Sequence, residues 1–340
     1  MVDEDYPTTP NRLGLLPRGP PQAARPTPDM TFWQAIELAL PLYLLILVGF
    51  LLARFGNWPR AVSEALSRFV FVIAIPSMLF TLTSDLTRLP PFDPRVLVAY
   101  FGACLAVFIA GRLLAARLFR LDGVAQSVFA MGAIYGNTVM LGLPIAKAAI
   151  GEAAVPTLAL VLVTNSLVMW TLVTVSVQWA QGGRPGARNL LLTLRSILAN
   201  PVVASILLGA AWSMTGLPLP SPVRGTLGLL GQSAIPLALV TVGFSLTAYR
   251  IREGIGEALV ITVLKLAVLP LLVWIIAHLI GLPQMETQVI VLLASIALGV
   301  NVHLMASEFR SLQGPIGTGL LVSTVLSATT VPLVLLLTGA

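Results

Sequence analysis

Long apolar stretches dominate the chain from about residue 33 to its end, separated by short segments carrying arginine, proline or glycine. A helix that crosses a bilayer needs ~20 mostly apolar residues, and the chain divides into about ten such segments. They fall near 33–53, 61–84, 95–117, 123–151 and 153–179 in the first half, and near 194–215, 223–248, 254–280, 285–310 and 313–338 in the second. The pattern predicts an all-α integral membrane protein. The residues ahead of the first segment break it: Pro10, Pro17, Pro20, Pro21, Pro26 and Pro28 stand among scattered charges with no apolar run. Such a composition cannot bury enough surface to fold, so a disordered tail is expected over 1–31, without the apolar core of a signal peptide. Met30 is an alternative start.

The two halves repeat each other. Ala39-Leu40-Pro41 returns as Ala199-Asn200-Pro201, Gly49 as Gly209, Gly56 as Gly216, Ala74-Ile75-Pro76 as Ala234-Ile235-Pro236 and Thr81 as Thr241, each about 160 residues later. The expected organisation is one membrane unit written twice: a first five-helix repeat over 32–180, a cytoplasmic linker over 181–193 and a second five-helix repeat over 194–340. An odd number of crossings per copy inserts the two in opposite senses, which gives an inverted repeat of the kind that supports alternating access.

Composition agrees with a membrane class, since 57% of residues are hydrophobic and only 10% charged, against about a quarter charged in soluble domains. The net charge of +6 does not point to nucleic acid, because the arginines sit singly or in small groups between segments rather than along one basic face. Arg54 and Arg60, then Arg112, Arg117 and Arg120, then Arg184, Arg188 and Arg195, then Arg250 and Arg252, and last Arg310 all follow odd-numbered segments, while Arg88, Arg95 and Arg224 are the main basic residues of the other side. Short basic loops stay cytoplasmic, so both termini are expected on the non-cytoplasmic side. Cys104 is the single cysteine. No metal-ligand spacing, cofactor motif or catalytic couple stands out, so no metal, cofactor or catalytic residue is expected and an intramembrane enzyme is disfavoured.

The candidate site lies where two segments break. In the fourth, Gly136, Asn137, Thr138, Gly142 and Pro144 fall within nine residues; glycine loosens a helix, and proline removes a donor and clashes one turn back. The ninth holds Gly299 and Asn301 but no proline, so a milder or locally unwound break is expected there. Interrupted helices at matching places of two repeats mark a midplane substrate site, and the free amides of a new half-helix suit an anion. Asn137 and Asn301 are therefore read as substrate ligands, although a lone membrane asparagine is also a common helix clasp. His303 is read as a further ligand, against the plainer role of a neutral packing histidine. Pro76 and Pro236, followed by small and polar residues such as Thr241 and Ser245, are read as lining the site, against simple kinks. Lys147 and Lys265 are the two lysines. Lys147 lies nearer an interface and is expected to snorkel; Lys265 lies deep and is expected to compensate charge at the breaks. No acidic residue falls at the centre of a segment, which argues against a carboxylate-held coupling ion.

Together these residues resemble the auxin efflux carrier family, over essentially the whole chain after the tail. The resemblance is carried by Gly136-Asn137 followed by Leu141-Gly142-Leu143-Pro144, by Asn200-Pro201, by Ala234-Ile235-Pro236, by Lys265 through Pro270, and by Asn301 ahead of Met305-Ala306-Ser307-Glu308-Phe309. It implies ten spans, crossing broken helices four and nine, a scaffold part and an elevator-like transport part, in the plasma (bacterial inner) membrane. It further implies a small organic carboxylate as substrate, bound by the two asparagines and the half-helix amide ends. The family pattern pairs proline with asparagine in both broken spans, whereas this chain has Ala297 where the second proline is expected. The expected energy source is the membrane potential acting on a uniported anion. The alternative is a sodium- or proton-coupled organic anion symporter of the bile acid type. Besides substrate, membrane lipid is the expected partner, and a homodimer is one assembly left open.

Overall fold

The computed structural model describes residues 32–56, 58–85, 93–182, 201–247 and 254–339. The expected tail over 1–31 and nearly all of the 181–193 linker lie outside them, as do Arg88, Arg184, Arg188, Arg195, Asn200, Arg250 and Arg252. Among the described residues all regular structure is helical, apart from one antiparallel bridge between Gly136 and Leu298.

In chain order the helices are α1 (Phe32–Phe55), α2 (Arg60–Phe69), α3 (Ile75–Thr83), α4 (Arg95–Leu118), α5 (Gly123–Ile134), α6 (Leu143–Ala149) and α7 (Val155–Ala180). There follow α8 (Pro201–Met214), α9 (Ser221–Gln232), α10 (Ala234–Leu246), α11 (Ile255–Val263), α12 (Leu269–Leu279), α13 (Gln284–Ser295), α14 (Val300–Glu308) and α15 (Gln313–Thr338). Among the described residues, six continuous helices are long and apolar enough to cross a membrane: 61–83, α4, 152–180, 221–246, 255–279 and α15. Shorter apolar helices cover Leu40–Phe55, Gly123–Ile134, Thr138–Ala149 and Pro201–Met214. A multi-pass membrane protein follows from these lengths.

Proline shapes several of these helices in one way. Widened π turns occupy Val70–Ala74, Thr138–Gly142 and Leu264–Val268, and each ends just ahead of Pro76, Pro144 or Pro270. A proline has no amide to donate and its ring collides with the carbonyl one turn back; an extra residue in that turn relieves the collision without ending the helix. Pro76 and Pro144 are thus accommodated within their helices.

The helices pack in two groups. One pairs α1 with α10, and α3 with α8 and α9; the other joins α4, α5, α7, α11, α12, α13 and α15. In the first group, small residues allow backbones to touch: a Cβ on Gly49 would overlap the carbonyl of Val240, and one on Gly209 would crowd the carbonyl of Phe80 at 2.8 Å. Gly209 is the repeat partner of Gly49, and Phe80 stands in the first copy where Val240 stands in the second. Two close backbone contacts therefore match at the offset of the repeat. The groups meet where α1 packs on α15, with Tyr43 donating to the Ser327 hydroxyl at 3.1 Å, and where the Thr138–Gly142 turn packs on α10.

Candidate crossover site

Two unwound stretches cross at the centre of the molecule. Asp122 caps α5 by accepting from the amides of Val124 and Ala125, and that helix stops at Ile134. The chain then runs extended through Tyr135 and Gly136 to Asn137, which caps the next helical stretch, Thr138–Ala149. In the second copy α13 stops at Ser295, Ile296 to Gly299 are extended, and Gly299 caps α14. The second break is locally unwound and as open as the first, the second of the two forms expected without a proline. Its cause is the crossing itself: a Cβ on Gly299 would lie 2.8 Å from the Gly136 oxygen, an approach only glycine permits.

Polar backbone at membrane depth must find partners, and here it does. The Asn137 amide donates to the Ala297 carbonyl and the Gly299 amide to the Tyr135 carbonyl, both at 2.8 Å. The Leu298 amide donates to the Ser323 hydroxyl at 3.1 Å. Lys265 is fully buried and its Nζ donates to the carbonyl of Ala294, at the end of α13 beside Gly136. That end of a helix carries partial negative charge, so a lysine is well placed to oppose it.

What the crossing leaves unpaired faces a cavity of about 190 Å³. The amides of Asn137 and Gly299 are consumed by the crossing, but those of the first turns beyond them have no acceptor within their helices. Thr138, Val139 and Met140 from one span and Val300 and Asn301 from the other all line the cavity. Two positive helix ends are thus presented to one space. The Asn137 side chain makes no capping bond to its own helix and also lines the cavity. Asn301 sits one residue into α14, not at its cap, and its side-chain amide donates to the Tyr135 hydroxyl at 2.9 Å. No carboxylate is among the lining residues.

Five of the sequence-derived site residues, Gly136, Asn137, Thr138, Gly299 and Asn301, meet at this cavity. Pro76, Pro236 and His303 do not line it, and Lys265, Pro144 and Gly142 stand behind it as support. Lys147 lies 3.9 Å from Glu152 and is partly exposed. Sequence reasoning missed Tyr135 and Asn165; the former adjoins the Gly136-Asn137 break, while the latter gives no local signal. Ser67, Met140, Ser245, Val300 and Asn301 also border a wider vestibule of about 860 Å³, which carries Arg54, Arg68 and Glu64.

A family model described as "Membrane transport protein" matches residues 34–335. Among curated proteins, the chain is 28% identical over 302 residues to a Rhizobium meliloti protein named "Putative malonate transporter", covering 86% of this chain and 92% of that one. It is 26% identical over 307 residues to an "Uncharacterized transporter" of Methanothermobacter thermautotrophicus, covering 89% and 98%. With the match spanning nearly every helix and the crossed breaks at its centre, the chain belongs to this membrane transport protein family, the auxin efflux carriers.

Proposed function

We propose that the chain carries a small organic carboxylate anion across the membrane by elevator-type alternating access, with the crossover cavity as its substrate site. The observation that carries this reading is the pair of opposed first helical turns, whose free amides line one cavity that holds no carboxylate. An anion's oxygens accept from such amides, and the two helix ends offset its charge without a bound cation. The cavity's ~190 Å³ is about six water volumes at ~30 Å³ each, a size suited to a short-chain acid. The malonate name of one relative fits the same class.

The ten apolar segments are read as ten crossings in two inverted five-helix repeats, with domains over 32–180 and 194–340. The exchanged Gly49–Val240 and Gly209–Phe80 contacts support that symmetry. The group built on α1, α3, α8, α9 and α10 serves as scaffold, and the group holding the crossing as the moving part. The vestibule with Arg54 and Arg68 lies on the side that the arginine distribution assigns to the cytoplasm, so this arrangement is open inward, with both termini outside in a bacterial inner membrane. Potential-driven uniport follows from the lack of a carboxylate ligand for sodium or a proton. The bile-acid-type symporter remains the competing reading, and no acidic residue at the cavity favours it.

Titrating purified protein with small organic acids and their neutral amides tests the reading. The acids should bind and the amides should not, and Asn137→Ala should weaken acid binding. Equal binding of acid and amide contradicts a site built for anions.

A further inference from the structure

Two side chains that line the crossover cavity have polar atoms with no hydrogen-bond partner among the described residues. Asn165, in the middle of α7, is 2% exposed. Its amide nitrogen donates to the Thr138 hydroxyl at 3.4 Å, while its oxygen Oδ1 is buried without a hydrogen bond. Thr241, on α10, is 3% exposed and its hydroxyl is likewise buried and unpaired. The threonine is the more telling. Thr164, Thr262 and Thr324 turn their hydroxyls back onto the carbonyl four residues earlier; Thr171, Thr241 and Thr330 do not, and of these three Thr241 is the one that lines the cavity. A buried polar atom without a partner costs about 1–3 kcal/mol, so its retention at a ligand cavity points to a partner that arrives with the ligand.

The chemistry of the two atoms defines that partner. Asn165 Oδ1 only accepts, and the Thr241 hydroxyl accepts or donates. The Asn165 oxygen cannot serve the charged carboxylate end, where the half-helix amides already supply donors. An acceptor facing the substrate calls for a donor on the substrate.

Building on the carboxylate reading above, we propose that Asn165 and Thr241 form a second subsite that selects short acids bearing an O–H group at the end remote from the bound carboxylate. Two kinds of molecule supply it: a short hydroxy acid, or a dicarboxylic acid with one carboxyl protonated. A plain monocarboxylate of the same length leaves both atoms unpaired. A site built to hydrogen-bond a hydroxyl rejects the analogue lacking it much more strongly than an apolar pocket rejects an extra group.

The test compares dissociation constants of propionate, 3-hydroxypropionate and malonate on the purified full chain, measured by calorimetry at two pH values. In the wild type, 3-hydroxypropionate or malonate should bind about tenfold tighter than propionate, the worth of one good hydrogen bond. Malonate binding that tightens as pH falls identifies the half-protonated diacid; a preference confined to 3-hydroxypropionate identifies the hydroxy acid. Asn165→Leu and Thr241→Val should each pull the ratio toward one. Because the ratio is taken within one preparation, loss of folded protein cancels from it. A wild-type ratio near one with propionate bound, or a ratio kept in both variants, overturns the second subsite alone. If none of the acids binds the wild type, the carboxylate reading falls and the subsite with it.

Discussion

The side-chain amide of Asn301 donates to the hydroxyl of Tyr135 at 2.9 Å, tying the first turn beyond one break to the extended strand of the other. The two residues lie beside the two different breaks, so the bond fixes the relative position of the two positive helix ends. Tyr135→Phe removes it while keeping the ring. Substrate affinity should fall about 2- to 10-fold, the range of one net hydrogen bond, with little change in melting temperature. Unchanged affinity in a binding titration shows that the Asn301 amide is positioned by something else.

Gly299 tests the closeness of the crossing. A Cβ there would sit 2.8 Å from the Gly136 oxygen, against backbone that has no room to yield. Gly299→Ala should cost on the order of 1–3 kcal/mol through overpacking and lower the thermal midpoint measured by tryptophan fluorescence. Gly102→Ala, which meets nothing within 4 Å, is the control and should leave the midpoint in place or raise it.

Lys265 should act through structure. Its Nζ is donated to the Ala294 carbonyl, and the residue does not line the cavity. Lys265→Met conserves most of the volume and leaves that carbonyl without its donor, a loss of about 1–3 kcal/mol. Melting temperature and transport should fall together. A normal melting temperature with weakened substrate affinity alone assigns the lysine to the substrate.

Asp122 offers a contrast remote from the cavity. Its carboxylate accepts from two first-turn amides of α5, so Asp122→Ala should cost about 1 kcal/mol of stability. Substrate affinity measured on the folded fraction should not change, since the helix still delivers Tyr135 and Asn137 to the crossing. A large affinity loss there indicates that α5 needs its cap to hold the break in register.

The sequence made the membrane class, the positions of the helices and the two breaks legible because each rests on local signals: apolar run length, paired glycines, and proline after a break. Asn137 and Asn301 stood out for the same reason, being polar residues beside glycine in apolar runs. Asn165 did not, since nothing in its neighbourhood is unusual; only folding brings α7 against the Thr138 turn. With no proline, the ninth segment left open whether its break was mild or unwound; what opens it is a tertiary cause, the backbone pairing of Gly299 with Tyr135 and of Ala297 with Asn137. His303, two residues past Asn301 in sequence, is not among the residues lining the cavity, since successive helical residues point about 100° apart.

The most direct measurement is uptake of labelled malonate into proteoliposomes under an imposed membrane potential, with wild type and Asn137→Ala compared. Wild-type uptake should follow the potential, positive inside, and persist without sodium and without a pH gradient. Malonate carried as its monoanion should approach about 50-fold accumulation of that species at 100 mV, corresponding to ~2.3 kcal/mol per charge. Asn137→Ala should lose most of the flux at equal protein content. Uptake that requires sodium, or that is unaffected by Asn137→Ala, contradicts the account.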